Sequence, residues 1–416
     1  MIKNDFSTKS LLQVLTRHEI IKFSLGRCRE DYRESMSEIS DRIASQGLSA
    51  SNIKNISIRD KTVFYAPNPE EHFALKKINF DIKRIYKIKQ VSRDEITEQV
   101  LRVLETASAF GIIKIDVKSF YESIRFDDII EKLHNDKLLN HQMICFLKEL
   151  SSLTKIGLPR GLSICSTLSE LYMRDVDSKI RELDGVYYYS RYVDDILIIT
   201  TSNTKEISNK ANSILSEKQL SSNRKSYTGD VEAIGDGDKI VLLDYLGYKF
   251  NIHKKSYLGK RVVDVTLADD KVRKIKTRII HSLIDRVMSK KPIKIKKELL
   301  NKRINLLASN HPINSTPDND GSLKGGIYYS NRLVNKAGVF EEFNLFLRKS
   351  LYCNKNNFFG KIIKKIPKTE KELLCKINFR TGFEKKHYMA LSSKEMDSIK
   401  ECWKHQNHKR KKCQKK

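Results

Sequence analysis

The 416 residues carry 79 Lys and Arg against 51 Asp and Glu, a formal charge of +28 with a pI near 9.6, a balance that points to a polyanionic partner. That length allows two or three packed subdomains with substantial cores. No apolar run approaches the roughly 18 residues of a membrane span, the opening MIKNDFSTKSLLQVLTRHE lacks a signal peptide's apolar core, and seven scattered cysteines fit a reduced compartment without disulfides, so the chain is expected in the cytoplasm and off the membrane.

Residues 1–60 read as mainly helical, with Leu11, Leu12, Leu15, Phe23 and Leu25 suggesting one amphipathic face. The stretch KRIYKIKQVSRDEITEQ (83–99) is basic. In GIIKIDVKSFYESI, Asp116 ends an apolar, strand-like run and precedes the aromatic pair Phe120 and Tyr121. Gly157, Pro159 and Gly161 make a tight turn into a helix whose apolar positions Leu168, Leu171, Val176, Ile180 and Leu183 recur at helical spacing. A turn of that kind lets backbone approach a ligand closely. VYYYSRYVDDILIIT (186–200) reads as a hairpin of β-branched and aromatic residues around Asp194 and Asp195. Further on, Val272, Ile275, Ile279, Leu283 and Val287 form one helical stripe with Lys271, Arg273, Lys274, Lys276 and Arg278 largely off it. Pro292 interrupts this pattern before a second basic helix, about 294–308, and the loop ASNHPINSTPDNDGSLKGG.

Adjacent carboxylates repel, and apolar flanks add desolvation to that repulsion. Divalent metal is the usual remedy. With Asp116 arriving from a second strand, the three acids fit two-metal phosphoryl transfer, in which two Mg²⁺ lie roughly 3.5–4 Å apart, one activating an attacking 3′-hydroxyl and the other neutralising the pyrophosphate leaving group. Asp116 and Asp194 would suffice, with Asp195 assisting.

These residues resemble the reverse transcriptases. Asp116 to Tyr121 looks like polymerase motif A, Gly157 to Leu171 like motif B, Tyr192-Val193-Asp194-Asp195 like motif C, the segment around Lys225 like motif D, and Tyr245-Leu246-Gly247-Tyr248 like the primer grip, all in the family's order. The resemblance implies an α/β right-hand polymerase: a helical N-terminal segment (1–60), fingers and palm (61–265), a mainly helical basic thumb (266–350) and a basic C-terminal extension (351–416). It implies dNTP substrates and two Mg²⁺ on Asp116, Asp194 and Asp195. Tyr121 takes the position that stacks under the incoming sugar and leaves no room for a 2′-hydroxyl. Arg84, with Lys87 and Arg93 behind it, aligns with basic residues that meet the triphosphate, Gly161 with the turn that meets nucleotide and template, and Lys225 with a lysine suited to protonate pyrophosphate. Arg160 departs from the commonest pattern, which has Gln there; its guanidinium can stack on a base or pair with phosphate, which places it with Gly161 among the residues for the incoming dNTP and template and implies a different handling of the template.

The sequence lacks an H-N-H nuclease cluster, an RNase H-like acidic set, and protease or integrase segments. Compact bacterial enzymes remain. GLPRGL, RYVDDILII, DVKSFYESI and GIYYS look like the defence-associated, formerly unknown-group reverse transcriptases, and most like the smaller polymerase of the two-polymerase type 3 antiphage system. That likeness implies a structured noncoding RNA as template, a DNA product, a second reverse transcriptase subunit as partner, and is compatible with an oligomer. A retron-like or template-independent DNA polymerase is the alternative, followed by a non-catalytic RNA-binding scaffold. Cys402, His405, His408 and Cys413 have loosely metal-like spacing, but the cationic KRKKCQKK beside them opposes Zn²⁺ and favours a disordered or RNA-contacting tail.

Overall fold

The computed structural model describes residues 5–58, 61–313 and 324–404. His405, His408 and Cys413 lie outside them, as does most of the loop after residue 313. The chain forms two compact units, one of residues 1–96 and 108–233 and one of 97–107 and 234–416.

The first unit opens with α1 (Thr8–Leu12), α2 (Arg17–Phe23) and α3 (Arg29–Gln46). Helix ends at Gln46, and the hairpin β1 (Lys54–Ile58) and β2 (Lys61–Tyr65) follows within the stretch that reads as mainly helical. Alternating β-branched residues, Ile56 and Ile58 on one strand facing Val63 and Lys61 on the other, favour extended backbone there. Then come α4 (Pro69–Ile85), α5 (Arg93–Leu104), whose residues from Thr97 on belong to the second unit, β3 (Phe110–Asp116), α6 (Phe120–Ser123), α7 (Phe126–Asn135), α8 (His141–Ser151), α9 (Ile164–Arg181), β4 (Val186–Tyr192), β5 (Asp195–Thr200), α10 (Thr204–Glu217) and β6 (Tyr227–Val231).

Four strands form an antiparallel sheet in the order β4-β5-β3-β6. Ile113, Ile115, Ile196 and Ile198 join the main core with Leu168, Met173 and Phe120. Ile112, Leu197 and Ile199 on the opposite face are buried as well. Cover on both sides favours apolar residues on both faces, which is why ILIIT of β5 reads as a continuous run and β3 as one broken by the half-buried Lys114, and why a carboxylate at the end of either is conspicuous.

The second unit holds the antiparallel sheet β7 (Ile240–Tyr245), β8 (Tyr248–Tyr257) and β9 (Lys260–Leu267). Leu246 and Gly247, at φ of 45° and 81°, turn β7 into β8 in the two-residue manner that suits strand twist. After them come α11 (Asp269–Met288), α12 (Ile293–Leu307), the short pair β10 (Asn310–Pro312) and β11 (Lys324–Gly326), then α13 (Gly338–Leu351), α14 (Phe358–Ile363), α15 (Lys368–Cys375), α16 (Phe379–Glu384) and α17 (Ser393–Lys404). The basic stripe of residues 271–287 is α11, and Pro292 caps α12. Among the described residues, no helix is long and apolar enough to cross a membrane.

Candidate active site

Strand register brings the three acids together. Asp116, last in β3, pairs with Asp195, first in β5, and the Val117 amide donates to the Asp194 carbonyl at 3.0 Å. The segment after α10 closes the other side of Asp116: Asn223 donates from its backbone to the Asp116 carbonyl at 2.7 Å and from Nδ2 to Oδ1 at 3.1 Å, while the Asp116 amide donates to Ser226 Oγ at 3.3 Å.

Neighbours in sequence, Asp194 and Asp195 meet different surroundings. Burial raises the Asp194 pKa, as does the charge of Asp116, with Arg160 and Lys61 opposing. Asp195 is pushed up to about 6, first by burial and then by Asp194 and Asp116, against Lys114 and Lys225. Each carboxylate thus carries a desolvation and repulsion cost that no direct ion pair among the described residues removes, a donor set suited to a divalent cation. Among the described residues, no three His, Cys, Asp or Glu side chains form a ready-made cage. Mg²⁺ does not require one, because it keeps several waters and binds one or two carboxylates together with substrate phosphates.

The turn between β4 and β5 is held in a costly shape. Val193 has φ of 58°, where a β-branched residue is an outlier worth on the order of 1–3 kcal/mol. Arg191 supports it from beneath. Its guanidinium donates to the Val193 carbonyl at 3.2 Å, to Asp177 at 2.8 Å through two nitrogens and to Glu170 at 2.7 and 3.1 Å, with its side chain only 4% exposed. Glu170 and Asp177 both belong to α9, so the helix after the GLPRGL turn anchors the end of β4 that leads into Asp194 and Asp195.

That turn is packed against the chain's own backbone. A Cβ on Gly157 would lie 2.5 Å from Glu122 Cα, and one on Gly161, at φ of 107°, 2.5 Å from the Phe64 carbonyl oxygen. Leu158 donates to the Tyr121 carbonyl at 2.7 Å and Phe64 to that of Arg160 at 2.6 Å. Here the glycines admit α6 and the β1–β2 hairpin, not a ligand alone. Arg160 forms a two-pronged pair with Glu122, at 2.9 and 3.0 Å, and its guanidinium stands 5.1 Å from the Tyr121 ring centroid. Tyr121 is half-buried, and burial raises its pKa, with Asp194 among the charges acting on it.

Lys225 is exposed yet acts on Asp195. Arg84, Lys87 and Arg93 are not gathered to the acids: Arg84 lies 5.7 Å from the Phe80 ring centroid and acts on Asp81, Lys87 follows α4 in a left-handed turn, and Arg93 opens α5. The cations around Asp194 and Asp195 are instead Lys61, Lys114, Arg160 and Lys225. Lys61 and Lys114 escaped the sequence reading, as did Glu122 and Arg191. Arg191 had one visible signal, a cation inside an otherwise apolar strand; Lys61 had none.

Residues 57–225 match the reverse transcriptase (RNA-dependent DNA polymerase) family. The segment is therefore a reverse transcriptase domain, of the class that makes DNA on RNA by nucleotidyl transfer. Solved structures similar to the chain include an apo telomerase from Candida tropicalis truncated from its C-terminal domain, at 15% identity over 57% of this chain and 60% of that one, with a TM-score of 0.38. Telomerase from Candida albicans in complex with a fragment of telomeric RNA gives 12%, 84%, 61% and 0.35, and the BmCPV RNA-dependent RNA polymerase at elongation state 13%, 77%, 34% and 0.35. The chain spans about 60% of the length of the telomerase structures. No curated protein matches it.

Proposed function

We propose that the whole chain is an RNA-directed DNA polymerase that copies a cognate structured noncoding RNA into DNA and serves in antiphage defence in the cytoplasm, with a second reverse transcriptase as partner. The observation that carries the chemistry is the register of Asp116 against Asp195 with Asp194 beside them, inside a reverse transcriptase domain. The wording of RYVDDILII, GLPRGL and GIYYS supports the defence setting, and the charge of +28 supports the nucleic-acid partner.

Two Mg²⁺, held by Asp116 and Asp194 with Asp195 assisting, would lower the pKa of the primer 3′-hydroxyl and offset charge on the leaving pyrophosphate. The hydroxyl oxygen bonds to the α-phosphorus of the dNTP as the bond to pyrophosphate breaks. Tyr121 sits under the sugar and excludes a 2′-hydroxyl. Arg160, clamped by Glu122, holds Tyr121 and the 157–161 turn in place, and Lys225 stands near Asp195 to return a proton to pyrophosphate. Sequencing the nucleic acids that copurify, together with the DNA product, tests the templating role: the expected result is one short RNA in near-stoichiometric amount, with its complement in the DNA. Product DNA matching no bound RNA would reject templated copying in favour of template-independent synthesis.

A further inference from the structure

Within the second unit, α11, α12, the β10–β11 pair and α17 enclose a cavity of about 330 Å³. Its wall joins ring surface to positive charge. Trp403 and His311 line it with Lys274, Arg278 and Lys400, and among the described residues no carboxylate belongs to the wall. Other cations of the same helices are paired: Lys276 with Glu342, Lys291 with Glu401, Lys302 with Glu395 and Arg303 with Asp285. Lys274, Arg278 and Lys400 form no ion pair among the described residues.

The aromatic side of the wall is fixed. The Trp403 indole N–H donates to the Arg278 carbonyl at 3.2 Å and to Ser282 Oγ at 3.1 Å, and the Arg278 guanidinium lies 5.0 Å from the indole centroid. With its one polar atom committed, the indole offers the cavity ring surface alone. His311 has a buried Nδ1 without a hydrogen-bond partner among the described residues; burial lowers its pKa, and Lys400 and Arg278 lower it further. Like charges gathered around one space without a counter-charge raise each other's cost, and an anion entering that space offsets it.

We propose that this cavity binds a single nucleoside phosphate, its base against Trp403 and its phosphate on Lys274, Arg278 and Lys400. The volume lies at the lower end of the ~300–1,000 Å³ usual for small-ligand sites, enough for one nucleotide and far too small for a duplex. Aromatic stacking accepts any base, and clustered cations recognise phosphate without regard to sequence. The occupant is either a free nucleotide or an unpaired nucleotide of a bound strand.

Trp403 is the chain's only tryptophan, so its emission reports on this cavity. The full-length protein, in EDTA to suppress metal-dependent nucleotide binding, is titrated with UMP, uridine and a 5′-phosphorylated oligouridylate. A saturable change with UMP is expected, with uridine weaker by about tenfold or more. Lys274→Gln/Lys400→Gln should lose the response while melting like wild type by circular dichroism. A change with the oligouridylate assigns the occupant to a strand, and one with UMP alone to a free nucleotide. The proposal is overturned if neither UMP nor the oligonucleotide alters the emission, or if the double variant binds them as tightly as wild type.

Discussion

In the second unit, the buried cations Arg286 and Arg303 each meet a carboxylate: Glu370 at 2.6 and 2.9 Å, and Asp285 at 2.6 Å. In the first, Arg191 is neutralised in the same way by Glu170 and Asp177, yet a few residues on, Asp194 and Asp195 are carried into partial burial, and the charges of Lys61, Lys114, Arg160 and Lys225 leave both pKa values raised. Compensated charge organises a scaffold, because its desolvation is offset where it lies. Charge left uncompensated at the end of an apolar strand is a standing cost, and it persists where something outside the chain is to be bound. The contrast can be broken by experiment.

Asp194→Asn and Asp116→Asn should each cost a factor of hundreds or more in Mg²⁺-dependent dNTP incorporation, with melting temperature unchanged or raised because a repulsion is removed. Near-normal primer extension by both variants would end the two-metal assignment. The scaffold pairs should behave oppositely. Arg191→Ala and Arg286→Ala each strand buried carboxylates and should lower stability by about 3–5 kcal/mol, read from urea unfolding; a loss under about 1 kcal/mol would mean that water reaches these pairs and they are surface-like.

The third way to sharpen the contrast is pH. A carboxyl whose pKa is higher in the folded chain than in the unfolded one favours folding while protonated, so its contribution is present at low pH and is lost as pH rises. For Asp195, at about 6 in the metal-free fold, the loss runs from about pH 4, the ordinary aspartate range, to completion above pH 6. Wild type should therefore lose about 2 kcal/mol relative to Asp195→Asn across that window. Parallel stability curves for the two proteins would remove the desolvation argument. The smallest effect is expected at Tyr121: Tyr121→Ala should improve use of rNTP against dNTP by about tenfold or more, and unchanged discrimination in a competition assay would leave the ring as packing alone.

Some of this was legible in the chain itself. Periodicity alone separates the apolar strand runs GIIKID and DILIIT from the helical stripe on α11, and hence gives a mixed helix and sheet class, because residue period follows from local backbone geometry. The acids at the ends of those runs stand out for the same local reason. Tertiary structure decided their company. Lys61 comes to Asp194 from a hairpin more than a hundred residues earlier, Asn223 and Ser226 reach Asp116 from beyond α10, and Glu122 engages Arg160. Arg84, Lys87 and Arg93 are abundant basic residues with nothing in their spacing to distinguish them, whereas the cations whose charge acts on Asp194 and Asp195 include Lys61 and Lys114. The sequence by itself determined where charge is costly, since burial follows from the apolar pattern around it; which charges meet depends on contacts across long separations, and only the folded chain contains those.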